Sequence, residues 1–84
     1  MRVEALEGKR VLLLGFAREG IESLRFLKKK IPNLEVNIAD ATELERLSDA
    51  AKVAIIQHQI SEGHLGNNYL SHLKNYDIVI RTPG

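Results

Sequence analysis

With 84 residues and a mass of 9.4 kDa, the chain has room for one small domain, and folding at that size hides only about 60% of the surface that the unfolded chain exposes. Twelve Lys and Arg face eleven Asp and Glu, so the net charge of +1 lacks the basic excess with which nucleic-acid binders and polybasic membrane anchors hold their partners. No cysteine is present, and 44% hydrophobic with 27% charged residues is the balance of a folded globular domain, without disulfides, thiolate metal sites or a thiol nucleophile. The opening Met1-Arg2-Val3-Glu4-Ala5-Leu6-Glu7-Gly8 has no apolar run ahead of a small-residue cleavage site. No apolar stretch approaches the roughly 18 residues of a membrane span. The expectation is a cytoplasmic protein with neither membrane nor nucleic acid as partner.

Lys9-Arg10 lead into Val11-Leu12-Leu13-Leu14, closed by Gly15; so short and unalternating a run predicts a strand buried on both faces. Ile21, Leu24, Leu27 and Ile31 then recur at helical steps until Pro32-Asn33, which predicts a helix with one buried stripe. Phe26 projects away from that stripe. Leu34 to Asp40 alternates apolar and polar residues and predicts a second strand. A short helix is expected from Thr42 to Lys52, with Thr42 as N-cap, Glu45 completing a capping box, and Leu44, Leu47 and Ala51 as its stripe. Val53-Ala54-Ile55-Ile56 repeats the buried-strand signature. Gln57 to Asn68 reads as a loop turning into a short helix around Tyr69 to Lys74, and Asp77-Ile78-Val79-Ile80 as a fourth strand. Strands alternating with helices imply an α/β fold, a doubly wound parallel sheet of about four or five strands with flanking helices.

Chemistry concentrates at the turn after the first strand. Glycines there let the backbone pass tightly into the helix and present its free N–H groups to an anion. Gly15 and Gly20 hold the outer positions of a dinucleotide fingerprint, while Ala17 stands at the middle one, where a methyl group hinders the closest approach of a pyrophosphate and tells against NAD. Asp40 lies twenty residues beyond Gly20, where such folds set an acid against a nucleotide's ribose or base. A purely structural turn would carry the same glycines. Glu19 suits the helix dipole but opposes a phosphate, Arg18 could neutralise one, and Lys28-Lys29-Lys30 complement the end of the helix without needing a partner. The spacing of His58, His64 and His72 matches no metal pattern. No phosphate loop, nucleophile elbow or persuasive pair of carboxylates occurs, so no catalytic residue and no metal ligand is assigned.

Taken together, the run from Gly8 to Gly20, the strand ending in Asp40, and Asp77-Ile78-Val79-Ile80-Arg81-Thr82-Pro83-Gly84 resemble the N-terminal domain of the Mur ligases, and within that family its D-glutamate-adding branch. The resemblance spans nearly the whole chain. It implies a Rossmann-like domain over residues 1–84 that binds the UDP part of UDP-N-acetylmuramoyl-L-alanine. It further implies a cytoplasmic, monomeric, three-domain enzyme of peptidoglycan precursor synthesis, whose central ATPase and C-terminal domains lie outside this chain. ATP, magnesium and D-glutamate would be met by those domains, so this piece alone is expected to be inactive and to hold no cofactor. Carried over by motif, the UDP-binding residues are Gly15, Phe16, Ala17, Arg18, Glu19 and Gly20 at the turn, Asp40, Ala41 and Thr42 near the uracil, and Thr82, Pro83 and Gly84 beyond the fourth strand. Glu19 replaces the family's usual Ser or Thr, and Thr82 its usual Ser. Another Mur ligase adding a different amino acid, an NAD(H)-binding regulatory module, or a ligand-free interaction domain presenting Phe26 are the alternatives.

Overall fold

Val11, Leu12 and Leu13 are completely enclosed, and the strand they form is the one on which the sheet is built. In the computed structural model, which describes residues 3–61 and 63–82, this strand, β1 (Arg10–Leu14), lies between β2 (Glu35–Asp40) and β4 (Ile78–Arg81). The two-residue β3 (His64–Leu65) flanks β2, giving the order β3-β2-β1-β4 with every pairing parallel. This is the α/β, Rossmann-like parallel sheet that the sequence implied. The chain steps outward from β1 to β3 and then returns to the other side of β1. Strand order therefore reverses at β1, whose carboxyl end opens into the glycine turn.

Period-2 geometry divides β1 between two faces. Val11 and Leu13 align with Val36 and Ile38 of β2 and with Ile78 and Ile80 of β4, and they form the main core with Leu24 and Leu27 of α1 (Arg18–Lys30) and Ala51 and Ala54 of α2 (Asp49–Gln57). The stripe expected on α1 is buried at Ile21, Leu24 and Leu27, and Phe26 stands 49% exposed. On the opposite face Leu12 aligns with Asn37 and Val79. There the Tyr76 hydroxyl accepts from Asn37 Nδ2 at 2.9 Å and bonds His64 Nε2 at 2.7 Å, which ties the segment before β4 to the sheet.

Three expected elements are corrected. Residues 42–52 do not form a helix capped by Thr42: Leu44–Arg46 make one 3-10 turn, and α2 begins after Ser48, whose hydroxyl accepts from the Ala51 N–H at 3.1 Å. Leu47 and Ala51 are buried as the stripe required, but Leu44 is exposed. Val53-Ala54-Ile55-Ile56 is no strand and belongs to α2. Its small residues Ala51 and Ala54 face the core, while Val53 and Ile56 point outward, so residues that favour strands lie on a helix made by a cap and close packing. The third strand falls later, at His64–Leu65, and the short helix expected near Tyr69 shrinks to a 3-10 turn over Leu73–Asn75.

The C-terminus of α2 gives a direct check. Gln59 is left-handed with φ 55°, and the Ile60 N–H reaches back to the Ile55 carbonyl at 2.9 Å, the closure that glycine serves best. Gln59→Gly is expected to raise stability by about 0.5–1 kcal/mol, and Ser48→Ala to lower it by about 1 kcal/mol, both read from urea unfolding midpoints. A strand over 53–56 would make both substitutions neutral or reverse them.

Candidate functional site

The glycine turn is held from both sides. Gly15 leaves β1 at φ 103° and donates its N–H to the Ala39 carbonyl at 2.7 Å. Its own carbonyl accepts from the Thr82 hydroxyl at 2.7 Å, while Thr82 N–H bonds the Leu14 carbonyl at 2.9 Å. A side chain at Gly15 would come within 2.8 Å of the Thr82 carbonyl and hydroxyl oxygens, and one at Gly20 would collide with the Gly15 carbonyl. Both glycines are thus demanded by the close passage of strand, helix and residue 82, whatever binds there. Pro83 and Gly84, which the family resemblance places in the pocket, lie outside the described residues.

Asp40 ends β2 against this turn. Its Oδ2 accepts the Phe16 N–H at 2.7 Å and its Oδ1 the Thr42 N–H at 2.8 Å, so one carboxylate joins the β1 turn to the segment leaving β2. Partial burial works to raise its pKa, but the Phe16 N–H and the N–H and hydroxyl of Thr42 outweigh it and hold the carboxyl below its ordinary value. Phe16 itself is 1% exposed and belongs to the core. The expected base-reading acid and uracil-side threonine are therefore partners of each other, and Ala41 beside them is exposed.

Ala17 is the N-cap of α1 and offers no side-chain acceptor, so the first-turn N–H groups are left to water or an anion at the positive end of the helix. Ala17, Arg18 and Glu19 are all exposed there. From this end a cleft of about 510 Å³ runs between α1 and the 3-10 turn over Leu44–Arg46. Phe16, Ala17, Ile21, Leu47 and Ala50 give it apolar walls; Arg18, Arg25 and Arg46 give it three guanidinium groups; Asp40, Thr42 and Glu22 also reach it. Glu19 lines a different groove with Leu6 and Phe26, which takes its carboxylate away from the cleft. Arg18 meets Glu22 at 3.7 Å with both side chains largely exposed, a pair worth little in water. Sequence reasoning singled out Arg18 but missed Arg25 and Arg46; the seven-residue interval from Arg18 to Arg25, which places both on one helix face, was the available signal. His64 and His72 stack at 4.4 Å beside Tyr76, and among the described residues no group of three His, Asp or Glu could hold a metal.

Because the folded carboxyl of Asp40 is held below the value of 3.8 that it takes when unperturbed, its contribution is complete above that value and is lost as pH falls through it toward the lower folded pKa. Asp40→Asn keeps one acceptor but sets an amide N–H against a backbone donor. It is expected to cost about 1–3 kcal/mol at pH 7 and to flatten the stability curve between about pH 5 and pH 2, checked by urea unfolding across that range. An unchanged slope would detach Asp40 from the turn.

No protein-family model matches the chain, and no solved structure does. Curated proteins do. Over 88 aligned residues the whole chain is 35% identical to UDP-N-acetylmuramoyl-L-alanine–L-glutamate ligase of Xylella fastidiosa strain Temecula1, and 33% identical to the enzyme of that name from Xanthomonas euvesicatoria. Over 82 residues, 98% of the chain, it is 29% identical to UDP-N-acetylmuramoylalanine–D-glutamate ligase of Ligilactobacillus salivarius. The chain spans 17% of the length of each of these relatives. The sequence similarity thus runs through the whole of this parallel sheet and its glycine turn, and it is to Mur ligases named for UDP-N-acetylmuramoyl-L-alanine and glutamate.

Proposed function

We propose that this chain is the UDP-binding domain of a Mur ligase and holds the nucleotide end of UDP-N-acetylmuramoyl-L-alanine. The observation that carries the reading is the uncapped start of α1, opening into a cleft with three arginines at the carboxyl ends of β1 and β2. The diphosphate lies against the first-turn N–H groups, where the helix dipole and Arg18 oppose its charge. The nucleoside extends into the cleft along Ile21 and Leu47. Asp40 and Thr82 act by fixing the turn: the two Asp40 oxygens hold Phe16 and Thr42, and the Thr82 hydroxyl holds Gly15. Glu19 takes no part through its side chain; its backbone N–H remains available to the phosphate.

In the parent enzyme, ATP phosphorylates the substrate carboxylate, and the amine of glutamate displaces phosphate to form an amide. This domain contributes binding energy at a distance from that reaction, which lowers the barrier only by holding the reacting end in place. On this reading ATP and magnesium are met by the domains that the family resemblance places outside this chain. Since the relatives include ligases named for L-glutamate and for D-glutamate, the proposal names glutamate as acceptor without its hand. A cytoplasmic setting and a monomeric state complete the reading; no helix of the described residues is long and apolar enough to cross a membrane.

Backbone amide NMR of the labelled chain tests the proposal. UDP is expected to produce saturable shifts at Phe16 to Gly20, Thr42 and Arg46 to Ser48, with NAD giving weaker ones. Absence of a saturable UDP response, or a preference for NAD, overturns it.

A further inference from the structure

Among the described residues β4 pairs with β1 on one side and with no strand on the other. The Thr82 N–H is engaged by the Leu14 carbonyl at 2.9 Å. Backbone groups along a strand turn to alternate sides, so the N–H and carbonyl groups of Val79 and Arg81 point away from β1, toward the open edge. Both residues are exposed there. On the core side of the same edge, Leu6, Phe26, Leu27 and Ile80 line a groove of about 530 Å³, which Glu19, Glu22 and Ser23 also reach. An edge with open hydrogen-bonding groups beside exposed apolar side chains is a template for an added strand.

The residues of the edge fit a second copy of themselves. Asp77-Ile78-Val79-Ile80-Arg81 is an apolar centre between an acid and a base. Laid antiparallel on another copy about a two-fold axis at Val79, the run sets Val79 opposite Val79, Ile78 opposite Ile80 and Asp77 opposite Arg81. Each unlike pair forms twice, because such a contact is the same from both sides. Directly opposed residues share a face. The isoleucines, which pack against the core, therefore fall together on the side of the groove, and the valines and both ion pairs fall on the other. Among the described residues Arg81 joins no ion pair. Asp77 is exposed and accepts the Arg10 N–H at 2.8 Å with one oxygen, which leaves the other for a guanidinium group. A shift of one residue would oppose side chains from different faces. A shift of two would set Arg81 against Val79 and lose both ion pairs, so charge selects the register centred on Val79.

We propose that two copies of this chain pair through β4, antiparallel and centred on Val79, joining two four-stranded sheets into one of eight strands. The inference does not depend on the nucleotide reading. It concerns the 84-residue chain, whereas the monomeric state given above is that of the parent enzyme. A seam of so few residues belongs to the small, reversible class of interfaces.

Analytical ultracentrifugation of the intact chain from about 10 μM to about 1 mM tests the proposal, with amide NMR over the same range. The mass is expected to rise with concentration from that of one 9.4 kDa chain toward twice that value, and the amides of Val79 and Arg81 to shift with it. Val79→Lys sets two like charges face to face at the axis and should raise the dissociation constant about tenfold or more; because the position is exposed, the variant keeps its dispersed amide spectrum. Asp77→Lys and Arg81→Glu should each weaken self-association about fivefold. Mixed in equal amounts, these two variants should pair with each other as the wild type does with itself, since every charged contact across the mixed seam again joins an acid to a base. A mass that stays at one chain throughout the range overturns the inference and leaves the edge to a strand of another sequence. Association that survives Val79→Lys, or that the mixture of charge variants does not recover, overturns it equally, by placing the contact on another surface or in another register.

Discussion

One carboxylate holds three parts of this molecule together. Asp40 sits where β2 ends, and its two oxygens reach a backbone N–H in the turn after β1 and another in the segment that leaves β2. The turn cannot move relative to the second strand without breaking a charge-assisted bond in a partly desolvated place, where such bonds are strongest. Phe16 is fixed by the same contact, and its ring enters the core beneath the cleft. The direction of α1 and the shape of the cleft floor therefore both follow from the position of a single side chain.

Thr82 closes the opposite side. Its hydroxyl and N–H engage the carbonyls of Gly15 and Leu14, so the first and fourth strands end locked to one another. Between these two anchors the turn has no space for a Cβ at Gly15 or Gly20. This changes what the glycine pattern means. Both glycines are required by backbone packing alone, and the case for a ligand lies instead in the uncapped helix start and the guanidinium groups around the cleft.

Much of the fold was legible because β1, α1, β2 and β4 each carry one unmixed signal: an unbroken apolar run, a helical stripe or an alternation. The region after Asp40 carries mixed signals. Val53, Ile55 and Ile56 have the stiff, branched side chains of a strand, yet the helix there is decided by Ser48 at its cap and by Ala51 and Ala54, small enough to let α2 approach α1. No apolar periodicity advertises a helix whose buried face is alanine. At the site, the acid at the correct interval was readable, as was the turn. Its partners were not, since hydrogen bonds from Phe16 and Thr42 depend on how two strand ends meet. Arg25 and Arg46 stayed hidden for the same reason: residues 21 positions apart in the chain share a cleft only after α1 and the 3-10 turn are set side by side.

The sheet is also unequal at its two margins. Beside β2 it finishes in β3, two residues long, whereas β4 pairs along one side with β1 and, among the described residues, with nothing on the other. Val79 lies in that outer strand, 41% exposed. A two-residue margin gives an incoming strand almost nothing to pair with; a four-residue margin bearing an exposed valine does. The longer open margin of the sheet is therefore β4, and a strand added there would pair with β4 and lie beside the anchor at Thr82 that follows it.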